Sequence, residues 1–169
     1  MAVIWQAQRD DVDYVLQRQG ARLQLFANGV QHSEWHPRKL FTGSVWDLLW
    51  LPVFFTEPQR IRRVLILGLG AGTVVAPLRH FCQPTEIIAI DSDPLHLQVA
   101  QQFFQVSGAD ITCQCTDAVE FVRDYTGEPF DLVIEDLFAP ADSSVSRAIE
   151  ASEDWCQSLA ALVNEHGRG

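Results

Sequence analysis

At 169 residues, with 47% apolar and 20% charged residues, the chain is long enough for one domain with a real core, or for a small appendage plus one main domain. No apolar run reaches the ~18 residues of a membrane span, and a net charge of −10 (22 acidic against 12 basic residues) argues against a polyanion such as nucleic acid as partner. A small-molecule ligand that is cationic or zwitterionic suits this charge better.

Met1 to Asp10 carries no basic-then-apolar leader, and Cys82, Cys113, Cys115 and Cys156 form neither a C-x-x-C pair nor a His-flanked metal set. We expect buried, reduced thiols in a cytoplasmic protein, and no metal. From Val12 to Trp35 short alternating runs are separated by Gln19-Gly20 and Asn28-Gly29, the pattern of a small β-meander. Its role is open between an extension packed on the main sheet and a lid or wall over a ligand site. Pro37 to Phe55 is aromatic, with Phe41, Val45, Leu48 and Leu49 near helical spacing and Trp46 and Trp50 four apart, predicting a helix ended by Pro52 whose tryptophans pack. Glu57-Pro58 breaks the chain there, giving an N-terminal unit over 1–57 and a main domain over 58–169.

From Arg63 onward strands and helices alternate, which predicts an α/β fold with a Rossmann-like, doubly wound parallel sheet. The first strand, Val64 to Leu67, runs into Gly68-Leu-Gly70-Ala71-Gly72-Thr73, a turn rich enough in glycine to bring its main chain close to a ligand. Thr73 stands where the dinucleotide fingerprint has its third glycine, which favours a nucleoside-type cofactor over NAD. A helix over Thr73 to Phe81, with Pro77 in its first turn, precedes the second strand, Glu86 to Ile90, which ends in Asp91. Ser92-Asp93-Pro94 starts the next helix with Asp93 as cap. Ile111 to Cys115 is the third strand, followed by Asp117 and a short helix; Phe130 to Glu135 is the fourth, followed by Asp136. Ser143 to Glu165 reads as one long helix. The closing His166-Gly-Arg-Gly169 has the composition of a loop leading into a further strand, so the sheet reads as a C-terminally short form, truncated or natural. An exposed fourth strand would then invite a homodimer.

The glycine turn, Asp91, Asp117 and Asp136 thus fall at the carboxyl ends of four successive strands, the edge where open α/β sheets bind ligands. Asp91 follows Gly68 by 23 residues, about the interval at which an acidic side chain meets ribose hydroxyls. Asp117-Ala118 is placed to receive an adenine amino group, and Asp136 to face the reacting end.

The order Leu-Gly-Leu-Gly-Ala-Gly, Ile90-Asp91, Thr116-Asp117-Ala-Val-Glu-Phe121 and Phe130-Asp-Leu-Val-Ile-Glu-Asp136 resembles the class I S-adenosylmethionine-dependent methyltransferase fold. More narrowly it is similar to the spermidine synthase (polyamine aminopropyltransferase) group, from about Leu23 to Ala139, with Asn28-Gly-Val-Gln31 matching that group's Asp-Gly-Val-Gln. The resemblance implies that Gly68, Gly70, Ala71 and Gly72 hold the methionine part of S-adenosylmethionine, its decarboxylated form or methylthioadenosine. It places Asp91 and Ser92 at the ribose, Asp117 and Ala118 at the adenine, and Asp136 as the carboxylate that helps deprotonate an attacking amine. The group's Asp-Ser-Ser-Asp-Pro motif reads Asp136-Leu-Phe-Ala-Pro140 here. Its Tyr-His-Glu, falling near Leu40-Phe41-Thr42, is missing, and Ala71 replaces the aspartate of the glycine loop. A polyamine needs several carboxylates to replace its hydration, so the expected acceptor is less cationic than putrescine. A non-catalytic relative serving as a binding or dimerisation module is the second reading.

Overall fold

The computed structural model describes residues 1–141, 144–147 and 149–164. An antiparallel meander opens the chain: β1 (Ala2–Arg9), β2 (Val12–Gln19), β3 (Arg22–Ala27) and β4 (Val30–Trp35), paired in sequence order. Asn28 and Gly29 both take positive φ (47° and 79°), the backbone that a two-residue hairpin turn needs to match strand twist. The sequence pattern starts one strand late. β1 is an outer strand with no buried residue, so its residues lack the alternation that marked the others.

Between meander and main sheet the expected helix shrinks to α1 (Asp47–Trp50) and a 3₁₀ turn over Leu51–Phe55 with Pro52 near its start. The buried Asp47 carboxylate explains the loss, since it accepts the Thr42 N–H (3.0 Å), the Gly43 N–H (2.8 Å) and the Thr42 hydroxyl (3.0 Å), folding 42–44 into a turn. Phe41, Val45 and Leu48 are consequently exposed, whereas Trp50 is buried and stacks on Phe81 with ring centroids 5.4 Å apart.

The main sheet holds β5 (Arg63–Leu67), β6 (Glu86–Asp91), β7 (Ile111–Cys115) and β8 (Leu132–Glu135), all parallel, in the order β7-β6-β5-β8. Alternation along β5 sends Val64 and Ile66 into one core, with Leu16 and Leu25 of the meander and Leu78 and Val99 of α2 (Val75–Phe81) and α3 (Pro94–Phe103). Leu65 and Leu67 face a second core with Val122 of α4 (Ala118–Asp124) and Trp155 of α5 (Glu153–Ala161). Helices on both faces make the sheet doubly wound, and each fully buried β5 side chain is worth about 1.5–3 kcal/mol. The order also fixes a switch point, because the chain leaves β5 toward β6 on one side and returns to β8 on the other.

One expectation fails beyond β8. The single long helix is replaced by a hairpin, β9 (Phe138–Ala141) with β10 (Ser144–Arg147), followed by α5. Ser152 breaks the helical reading by capping α5, its hydroxyl accepting the Trp155 N–H; the expected helix ends, Ser143 and Glu165, lie outside the described residues, as does His166–Gly169. β8 is the edge strand of the sheet, and just before it Phe130 bridges in parallel to Val163. Of the cysteines, only Cys82 is buried; Cys113 is half-buried and Cys115 exposed on the edge strand β7, and Cys156 is exposed on α5.

Candidate adenosyl-ligand site

One cavity of about 860 Å³ lies over the carboxyl ends of the strands, with the switch point in its floor. Gly68 to Gly70 follow β5, Asp91 to Asp93 follow β6, Thr116 to Val119 follow β7, and Asp136 to Phe138 follow β8. Tyr14, Arg22 and the run Gln31 to Glu34 form the opposite wall, so the meander encloses the site, and Trp46 lines it beside α1.

The glycine turn is shaped first by protein contacts. A Cβ on Gly68 (φ 83°) would lie 2.3 Å from the Asp136 carbonyl oxygen, and one on Gly70 (φ 55°) 2.7 Å from the Ser33 hydroxyl. The first glycine lets β8 close on β5, where the Asp136 N–H donates to the Leu67 carbonyl at 2.8 Å. The second seats the meander, where Ser33 accepts the Ala71 N–H at 2.8 Å. Thr73 completes that seat, its hydroxyl accepting the Glu34 N–H at 3.0 Å. The residue that departs from the dinucleotide fingerprint is therefore a docking point for β4. Ala71 and Gly72 are buried behind the turn and do not line the cavity, unlike Gly68 and Gly70.

Asp91 is buried and held from three directions. Its Oδ2 accepts the Gly70 N–H (2.7 Å), and its Oδ1 accepts the Asp93 N–H (2.9 Å) and faces His96 Nδ1 (3.3 Å). Asp93 caps α3 as read, accepting the Leu95 N–H at 2.8 Å, and also accepts the Tyr14 hydroxyl from β2. Burial and then the bond to Asp93 raise the Tyr14 phenol, which stays a donor. Burial alone would lower His96, but its bond to Asp91 and the charges of Asp91 and Asp93 outweigh that and raise it. His32, 5.3 Å from the His96 ring, is lowered to about 4 by burial and then by the His96 charge.

Asp117 is exposed and caps α4, accepting the Val119 and Glu120 N–H groups at 2.8 and 3.1 Å through one oxygen; Ser92 and Ala118 sit beside it on the cavity wall. Asp136 lines the cavity with Leu137 and Phe138 as its neighbours. Tyr14, His32 and His96 escaped the sequence reading. Only His96 left a trace there, one helical turn beyond the Asp91-Ser92-Asp93 strand end, while Tyr14 and His32 reach the site solely through the meander's docking. Among the described residues no group of three or more His, Cys, Asp or Glu is placed to hold a metal ion, and no helix is long and apolar enough to cross a membrane.

A parallel β7-β6-β5-β8 sheet with acidic strand ends around a walled cavity defines a methyltransferase-like α/β protein. Residues 48–168 match the spermine/spermidine synthase domain, and the chain belongs to that family. It is 32% identical over 104 residues to polyamine aminopropyltransferase 2 of Caldanaerobacter subterraneus subsp. tengcongensis, a match covering 57% of this chain and 35% of that protein. The spermidine synthase of Thermotoga maritima superposes with a TM-score of 0.73 at 18% identity, covering 96% of this chain and 54% of that one. A spermidine synthase in complex with the transition-state analogue AdoDATO gives 0.71 at 17% identity, over 96% and 53%. Human methyltransferase-like protein 13, in complex with SAH, gives 0.54 at 18% identity, over 64% and 55%. The chain thus spans about half the length of the spermidine synthases it matches and about a third of that curated relative.

Proposed function

We propose that the cavity holds S-adenosylmethionine or a related adenosyl thioether, either decarboxylated S-adenosylmethionine or methylthioadenosine, in a spermidine-synthase-like transferase fold. The observation that carries this reading is that Gly68 and Gly70, Asp91, Asp117 and Asp136, separated in sequence, line one cavity at the switch point. Gly68 to Gly72 run under the methionine part, with Ala71 and Gly72 shaping the turn from behind. Asp91 and Ser92 meet the ribose, Asp117 and Ala118 the adenine, and Asp136 the reacting centre. A cavity of about 860 Å³ is within the usual range for small-ligand sites. Beside Asp136, Leu137 and Phe138 give an ammonium group no compensating charge, so the acceptor is less cationic than putrescine.

Ala139, standing for the second acidic residue of the family motif, favours a second reading: a non-catalytic relative that keeps the fold as a binding or dimerisation module. Mass spectrometry of the purified protein tests the first reading. A co-purified adenosyl compound is expected, and a nucleotide without a thioether would overturn the assignment. The four cysteines are unpaired, which suits the cytoplasmic location we assign. The homodimer rests on the outer edge of β8, the edge strand of the sheet; light scattering showing a monodisperse monomer would remove it.

A further inference from the structure

The imidazoles of His32 and His96 fill the seam between meander and sheet, beside the cavity but outside every role given above. An Asp91 carboxylate has about four lone-pair positions, and the protein already uses three: Gly70 N–H on Oδ2, Asp93 N–H and His96 on Oδ1. One position on Oδ2 is left for a ligand hydroxyl, so the carboxylate's orientation decides whether a diol can use it. His96 is the side chain bonded to this carboxylate, its Nδ1 3.3 Å from Asp91 Oδ1, and its Nε2, which makes no hydrogen bond, stands 4.0 Å from Asp93 Oδ2.

We propose that protonated His96 is the positioning residue for Asp91, and that its proton couples occupancy of the nucleoside site to pH. This rests on the adenosyl reading of the cavity. An imidazolium presents an N–H to each carboxylate, whereas a neutral ring has only one N–H to offer. When the proton leaves, a lone pair faces either Asp91 or Asp93, and the buried Asp91 and half-buried Asp93 lose the cation between them. Asp91 then turns away, and the diol loses its acceptor.

Of the other groups around the ring, Tyr14 of β2, its ring 5.8 Å away, remains a phenol and His32 of β4 remains neutral, while Arg9 of β1 lies 3.6 Å from Asp93. Asp91 of β6 and Asp93 at the start of α3 are the anions that His96 bridges.

Calorimetric titration of the protein with methylthioadenosine, a probe without ionisable tail, tests the coupling from about pH 6 to about pH 9. Affinity should fall by about tenfold as pH rises through the His96 transition, which imidazole NMR locates in the ligand-free protein. H96Q, whose amide still donates to Asp91 but does not titrate, should bind with a pH-independent affinity. D93N, which removes one of the two anions, should move both the NMR midpoint and the binding midpoint to lower pH. A wild-type affinity that is flat across this range, or an H96Q profile like the wild type's, overturns the coupling while leaving the adenosyl reading intact. Absence of binding at every pH overturns the adenosyl reading and the coupling with it.

Discussion

Gly68→Ala is the substitution whose effect the geometry fixes most tightly. At φ 83° an alanine sits in the left-handed region, which costs about 1–2 kcal/mol. Its Cβ would also lie 2.3 Å from the Asp136 carbonyl oxygen and 2.8 Å from the carbonyl carbon, backbone atoms that no rotamer change can move. Relieving that overlap means drawing the end of β8 away from β5, which stretches the Asp136 N–H to Leu67 bond; overpacking of this kind costs about 1–3 kcal/mol, and a lost bond about 1 kcal/mol. The sum is about 3–6 kcal/mol out of a domain stability of about 5–15 kcal/mol. Gly20→Ala supplies the control, since Gly20 has a similar φ of 61° but nothing within 4 Å of its Cβ. It should carry only the conformational part, about 1–2 kcal/mol. Urea denaturation of both variants, with the m-value checked for two-state behaviour, measures the difference. If Gly68→Ala is no more destabilising than Gly20→Ala, the close approach of Asp136 to the glycine turn is wrong, and with it the position of the proposed reacting carboxylate.

Four further outcomes are expected. His96 is raised in the folded state, so the stability it contributes is complete below its unfolded value of about 6.5 and is lost as pH rises through the folded value; H96Q should flatten this alkaline limb in denaturation measured against pH. His32 acts with the opposite sign, because below about 6.5 the unfolded chain takes a proton that the folded chain refuses until about 4, and His32→Gln should reduce the loss of stability over that interval. Asp117→Ala removes a cap that receives two N–H groups and should cost about 1 kcal/mol by thermal or urea unfolding, with weaker adenosyl-ligand binding; an unchanged affinity would detach Asp117 from the adenine. Asp136→Asn should leave ligand affinity unchanged by calorimetry and reduce any turnover, whereas lost affinity would make Asp136 a binding group instead.

The parallel sheet was legible because its signals are local: β5 holds a continuous apolar run, Asp93-Pro94 is a helix start, and each acidic residue stands at or just past the end of its strand. Asn28-Gly29 marked its hairpin for the same reason. The failures share a different cause. The helix expected over 37–55 was dismantled by Asp47 capturing the main chain at 42 and 43, and neither periodicity nor composition reports such a contact. In the candidate site, the four strand ends were found by counting, but the roles of their groups were not. Asp91 turned out to serve Gly70, Asp93 and His96 before any ligand, and Thr73, noticed only as a departure from a fingerprint, anchors Glu34. Tyr14 and His32 belong to the site because Ser33 and Thr73 dock the meander there, a pairing across 38 and 39 residues that no local pattern encodes.

The measurement that bears most directly on the central claim is calorimetric titration of the protein with S-adenosylmethionine, decarboxylated S-adenosylmethionine, methylthioadenosine and NAD. Saturable heat with at least one adenosyl thioether, weakened in Asp91→Ala by about 1–3 kcal/mol, and none with NAD is the predicted result. Binding of NAD alone, or no heat with any adenosyl compound, would contradict it.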